Sequence, residues 1–237
     1  MIRDLPWTTR VRADECDPYG HLNNAVYVHY VMDAARAGGR TGTPAALHIE
    51  YSASAGPGDH IQVEPVDDDA DASSYRLAVG DATVATATIS WRPAPISAPD
   101  VPAGAFTIER PVEWRDLDRD GRLSPGAIAS LAEDAGIQVT AAHRWPMSRC
   151  TAAGFGIVLR SHRIVFGGPV TIEDTIRIAT WVRDPRRSMA TRRYVLTRHG
   201  DLVADLSSLY VWVDLDSGRP IRIPEDFLAD FSPNFLP

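Results

Sequence analysis

At 237 residues, 44% of them apolar and 23% charged, the chain has room for one large globular domain or two small ones. Its formal charge of −7 leaves no overall basic footprint for nucleic acid or an anionic membrane, although a local basic patch stays compatible with it. Two cysteines, Cys16 and Cys150, are too few for a disulfide scaffold, and no Cys or His spacing suits a metal. The opening segment has no apolar signal region and no run reaches membrane-spanning length, so a cytoplasmic protein with no membrane partner is expected.

Taken in order, Thr8 to Ala13 reads as a short strand. Asp17-Pro18-Tyr19-Gly20 is turn chemistry, with Pro presetting one dihedral and Gly accepting the strained one. Asn23 or Asn24 then supplies an N-cap, and Ala25 to Ala35 is apolar around most of a helix, which marks that helix as buried. It ends at Gly38-Gly39. A carboxylate, Asp17, and an imidazole, His21, therefore sit beside the positive end of a core helix, a place where buried charge points to chemistry. Cys16 is read as core, because strand neighbours point to opposite faces and it should not share a pocket with Asp17. Strands follow at Leu47–Tyr51, Ile61–Val66, Tyr75–Val79 and Ala82–Trp91, with Asp67 to Asp71 as an acidic turn. Four prolines between Pro93 and Pro102 then mark a semi-rigid linker.

After the linker the chain starts again. Val112 to Leu123 superposes on Val11 to Leu22 at an offset of 101, placing Asp17 on Asp118, Gly20 on Gly121 and Asp33 on Asp134. Later strands repeat at offsets of 115 (Ile49 on Ile164) and 120 (Gly80 on Gly200), so the second copy carries fourteen extra residues after its helix. Two copies of a strand-helix-strands unit are expected, each helix needing the other copy to complete its burial. The expected domains are 1–92, a linker over 93–105, and 106–237.

The string Asp17, Gly20, His21, Asn23, Asn24, Tyr27, Asp33 and Arg36 resembles the signature of hotdog-fold thioesterases of the 4-hydroxybenzoyl-CoA thioesterase superfamily. The second copy, with Leu159-Arg160-Ser161-His162, Thr180-Trp181, Arg192-Arg193-Tyr194 and Trp212-Val213-Asp214, resembles the amino-terminal half of acyl-ACP thioesterases. The first copy resembles their carboxy-terminal half, so the halves stand in swapped order. The resemblance implies an α+β double hotdog: two antiparallel sheets, each wrapped around a central helix, fused as a pseudo-dimer. It implies an acyl-CoA or acyl-ACP thioesterase without metal or redox cofactor, with Asp17, His21 and Asn24 catalytic and Gly20, Asn23, Tyr27 and Asp33 binding substrate. Tyr19 and Ser54 stand where acyl-ACP thioesterases carry an Asn and a Glu; Glu50 is the nearest carboxylate on the same strand face.

The chemistry suits those residue types. Asp17 can act as general base or attack the thioester carbonyl through a mixed anhydride. The helix start offers free N–H groups for the oxyanion, and in the family the amide at Asn24 does this. His21 would orient water or protonate the leaving thiolate. In the second copy Arg122 and Ser124-Pro125 replace His21 and Asn23-Asn24, so one working and one degenerate site are expected, with Asp116, Asp118 and Asp120 in an exposed turn. Arg186-Arg187 and Arg192-Arg193 read as solvated residues around a hairpin, with a landing patch for CoA phosphates or an acidic carrier protein as the alternative. A shorter connection after the first helix should leave the Asp17 side more open than the Asp118 side. Other readings are a non-catalytic acyl-binding protein, and a dehydratase or cyclase of polyketide or lipid metabolism. A monomer or a homodimer of pseudo-dimers fits a chain that carries its own partner repeat.

Overall fold

The computed structural model describes residues 6–93 and 96–236. The first repeat runs β1 (Trp7–Arg10), α1 (Asn24–Ala37), β2 (Ala46–Tyr51), β3 (His60–Asp68), β4 (Ala72–Val79) and β5 (Ala82–Ser90). The second runs β6 (Phe106–Pro111), α2 (Pro125–Ala142), α3 (Met147–Ala152), β7 (Phe155–Phe166), β8 (Thr175–Arg183), β9 (Met189–Arg198), β10 (Asp201–Asp214) and α4 (Glu225–Phe231). Ala94 and Pro95 of the expected linker lie outside the described residues, as do residues 1–5 and 237.

All ten strands form one antiparallel sheet in the order β1-β3-β4-β5-β2-β7-β10-β9-β8-β6, which is the same five-strand order read outward twice from its middle. The seam is β2 against β7, with Leu47 opposite Ile164 and Ile49 opposite His162. A lone repeat would expose β2 as an unpaired edge, and pairing of the copies removes that liability. The helices α1 and α2 pack against each other inside the curl of the sheet. Val28, Val31 and Ala35 of α1 and Ala129, Ala132 and Ala135 of α2 are fully enclosed beside Ile49, Leu77, Ile164 and Leu206. Small residues on α2 let the two helices approach. A second core cluster, formed by Trp145, Phe155, Trp212, Phe227 and Phe231, belongs to the second repeat alone.

Several local boundaries differ from the sequence reading. The first strand ends at Arg10, and Ala13–Glu15 is a 3-10 turn whose start is tied by Arg12 N–H to Glu15 Oε2 at 2.8 Å. Asp67 and Asp68 belong to β3 and pair with Ser74 and Ser73 beyond a bulge, which shrinks the acidic turn. Asp116 is buried, not in an exposed turn, because Arg110 donates to it at 2.6 Å. Among the described residues, no helix is long and apolar enough to cross a membrane.

Candidate active site

The two turns that start the central helices have one geometry. Asp17 Oδ1 accepts from Tyr19 N–H at 2.9 Å and His21 N–H at 3.0 Å. Asp118 Oδ1 accepts from Asp120 N–H at 2.9 Å and Arg122 N–H at 3.1 Å. The same backbone bonds close both, from Gly20 N–H to Asp17 O and from Gly121 N–H to Asp118 O. Gly20 and Gly121 have φ of +78° and +71°, left-handed values that a side chain would strain. So one oxygen of each aspartate shapes its own turn. The other oxygen is left for something else.

What it meets differs. Arg36 of α1 reaches across to Asp118 Oδ2 at 3.4 Å. At the offset of 101, the residue matching Arg36 on α2 is Ile137, and Ile137 lines a cavity together with Asp17. Among the described residues Asp17 Oδ2 has no partner. Each central helix thus faces the turn of the opposite repeat. The cavity beside Asp17 is about 400 Å³, against about 150 Å³ beside Asp118.

The helix starts differ as well. Asn23 N–H donates to Glu15 O, Ala25 N–H to the Asn23 side chain at 2.9 Å, and Val26 N–H to Asn23 O. That leaves the first-turn amide of Asn24 without an acceptor among the described residues, as helix geometry requires of an N-terminal N–H. Asn23, not Asn24, is the N-cap. In α2 the cap is Ser124, and the position matching Asn24 is Pro125, which has no N–H to offer.

The cavity beside Asp17 is walled mainly by the second repeat, through Ile137 and Thr140 of α2, Met147 and Cys150 of α3, Leu159 of β7 and Phe227 of α4. The extra residues after α2 therefore wall the Asp17 side. That side has the larger cavity, and each connection serves the other repeat's turn, where the sequence reading has each covering its own. Glu133 of α2 lines the same cavity. Its Oε1 lies 3.3 Å from Nε2 of His162, which is fully buried at the seam and whose Nδ1 is 2.6 Å from Ser208 Oγ. Burial pushes the Tyr194 hydroxyl up to about 12 and raises Tyr51 and Tyr210 strongly, so these phenols stay protonated around Glu133.

Asp17, Asn23 and Asn24 meet at the cavity; the other expected residues stand elsewhere. Gly20 and the exposed His21 do not line it, and His21 contributes its backbone N–H to the turn. Tyr27 is a core residue whose hydroxyl accepts from Ala55 N–H at 3.1 Å. Asp33 is exposed, 3.7 Å from Arg36, because α1 serves the Asp118 turn. The carboxylate that α2 brings to Asp17 is Glu133, one position from the match to Asp33. Glu50 is exposed on the outer face of the sheet, 3.7 Å from His48. Cys16, expected to point away, lines the cavity with Asp17, because a 3-10 turn precedes it and strand alternation does not apply. Burial, and then the charges of Asp17 and Glu15, push its thiol up, which makes a poor nucleophile.

A family model described as the thioesterase-like superfamily matches residues 112–231. A second, the acyl-ACP thioesterase C-terminal domain, matches residues 6–93, so a carboxy-terminal domain model falls on the amino-terminal repeat. No curated protein sequence matches the chain. Among solved structures, a Lactobacillus plantarum protein provisionally assigned as an oleoyl thioesterase is 10% identical with a TM-score of 0.68, covering 93% of this chain and 97% of its own. The 12:0-ACP thioesterase of Umbellularia californica is 9% identical with a TM-score of 0.63, covering 86% of this chain and 92% of its own. A 1,4-dihydroxy-2-naphthoyl-CoA thioesterase from Synechocystis is 17% identical with a TM-score of 0.51, and 96% of it covers 54% of this chain. Identities this low speak to the fold: whole-length partners match both repeats, and the shorter one matches about half of the chain. With one family model spanning half of its residues and a second on the other repeat, the chain belongs to the thioesterase-like superfamily and is a thioester hydrolase built as a double hotdog.

Proposed function

We propose that the chain hydrolyses an acyl thioester carried by CoA or by an acyl carrier protein, at the cavity between the Asp17 turn and α2. In this division of labour, residues 1–92 supply the reacting groups and residues 106–237 wall the acyl group. One observation carries the reading. Of two turns with the same hydrogen bonds, only the first keeps a free carboxylate oxygen, a free N–H at the first helical position and a large cavity.

The thioester carbonyl oxygen accepts from Asn24 N–H, helped by the positive end of α1. Asp17 Oδ2 takes a proton from water, and the resulting hydroxide adds to the carbonyl carbon. When the C–S bond breaks, the proton on Asp17 passes to the leaving thiolate, giving a free acid and a free thiol. Attack by Asp17 itself, with water then opening a mixed anhydride, reaches the same products. Glu133, held by His162, lines the same cavity and supplies a second carboxylate for the water. His21 acts through its backbone N–H, which fixes the Asp17 rotamer.

Both carriers are kept in the reading because similar structures are described as a 12:0-ACP thioesterase and a 1,4-dihydroxy-2-naphthoyl-CoA thioesterase. A panel of acyl-CoA and acyl-carrier thioesters read by free-thiol release tests the reading. Turnover that disappears in Asp17→Asn is the expected result. Turnover unchanged in that variant would reduce the motif to a helix cap and favour an acyl-binding role.

A further inference from the structure

Arg192 was expected among solvated arginines, yet it is only 7% exposed and lines the cavity. It has no carboxylate partner among the described residues. Its Nη1 donates to two neutral acceptors, Thr180 Oγ1 at 3.4 Å and Asn234 Oδ1 at 3.3 Å, and the guanidinium lies 5.2 Å from the Phe231 ring centre. Its neighbour Arg193 makes the contrast, pairing with Asp205 at 2.6 Å. Glu133 lines the same cavity but forms no ion pair with Arg192, and a buried cation without a direct ion pair among the described residues is a costly arrangement for a wall meant to hold hydrocarbon.

The surroundings share that bias toward donors. Trp212 lines the same cavity, and its Nε1–H is buried with no acceptor among the described residues. The hydroxyls of Tyr194 and Tyr210 lie 3.0 Å apart, and one bond between them leaves one O–H over. A Cβ on Gly136 would come within 2.7 Å of the Tyr194 hydroxyl and 3.8 Å of Arg192 Cδ, so it is this glycine in α2 that lets the polar cluster lie under the helix.

We infer that the acyl group this cavity takes carries a carboxylate away from its thioester end, and that Arg192 pairs with it. The inference rests on the thioesterase reading and names its substrate class: the monothioester of a dicarboxylic acid instead of a plain fatty acyl chain. The carboxylate would accept from the guanidinium nitrogens that have no partner among the described residues, in a desolvated site where such a pair is strong and geometrically selective.

Matched pairs test it on the full chain: hexanoyl-CoA against adipoyl-CoA and octanoyl-CoA against suberoyl-CoA, read by free-thiol release. The wild type should favour the carboxylated member of at least one pair by tenfold or more in kcat/KM. Arg192→Met, which keeps bulk and removes charge, should abolish that preference while still turning over the plain member, and Arg192→Lys should keep part of it. A wild-type preference for the methyl-terminated member of both pairs would overturn the inference. So would an equal loss on both members in Arg192→Met, which would make the arginine a prop for the wall or for Glu133. If no thioester is hydrolysed, the thioesterase reading fails separately, and a thermal-shift titration with free adipate and suberate decides the inference. Stabilisation by either diacid, lost in Arg192→Met and absent with hexanoate and octanoate, supports it; no stabilisation by either overturns it.

Discussion

The turns at Asp17 and Asp118 are the same object used twice. Both fold an aspartate back onto two amides, both close on a glycine with positive φ, and both deliver the chain to the start of a buried helix. They differ in three respects. The first keeps an amide N–H at Asn24 where the second has the proline nitrogen of Pro125. The first faces Ile137 where the second faces Arg36, and the first opens on the larger cavity. In the proposed reading a turn with an aspartate is a scaffold, and a site needs the free oxygen, the free amide and the space together.

The comparison breaks most sharply at the aspartates themselves. Asp17→Asn keeps the turn's acceptor and removes basicity, so kcat should fall by about 10²–10⁴, the scale for losing a general base. Asp118→Asn should leave kcat within about twofold, its partner amide being absent. Equal losses, measured side by side, would mean two working sites.

Next in size is the amide. Asn24→Pro copies the second repeat onto the first. Asn23 already has φ −60° and ψ 137°, close to the −76° and 152° of Ser124, so the backbone accepts a proline at the first helical position. With Tm nearly unchanged, kcat should drop by about 10²–10³, as for loss of an oxyanion donor. A variant that folds and turns over normally would take Asn24 out of the site.

Ile137→Arg grafts the other difference. An arginine there should reach Asp17 as Arg36 reaches Asp118. Breaking a charge-assisted bond of about 1.5–3 kcal/mol before reaction should slow kcat/KM by roughly tenfold or more. An arginine that leaves the rate alone would show that Asp17 is not within its reach. The smallest effect on turnover is the converse, Arg36→Ile. Freeing Asp118 should create no activity, because Pro125 still lacks the N–H, while the loss of this part-buried charge-assisted bond should cost about 1.5–3 kcal/mol in denaturant melts.

Much of the fold was legible because its signals are local. Turn residues, the Asn23-Asn24 and Ser124-Pro125 helix starts and the alternation of β2 to β5 each act within a few residues, and their recurrence at a fixed offset exposed the repeat. Where local rules compete, the reading slipped. Alternation placed Cys16 away from Asp17, but the chain had already left strand geometry at Ala13.

Local residue patterns suffice to show two repeats, an aspartate turn at the start of each helix, and the Asp17, His21, Asn23-Asn24 set in the first repeat but not the second. Tertiary structure decided what those turns face. Pairing of β2 with β7 crosses the repeats, so α2 brings Glu133 and Ile137 to Asp17 while α1 takes Asp33 and Arg36 to the other side. The same pairing buries His162 behind Glu133, and the packing of α4 carries Phe231 against Arg192. Contacts between residues a hundred positions apart leave no period or spacing to read. They follow from burying two helices in one sheet, a requirement that neither repeat can meet alone.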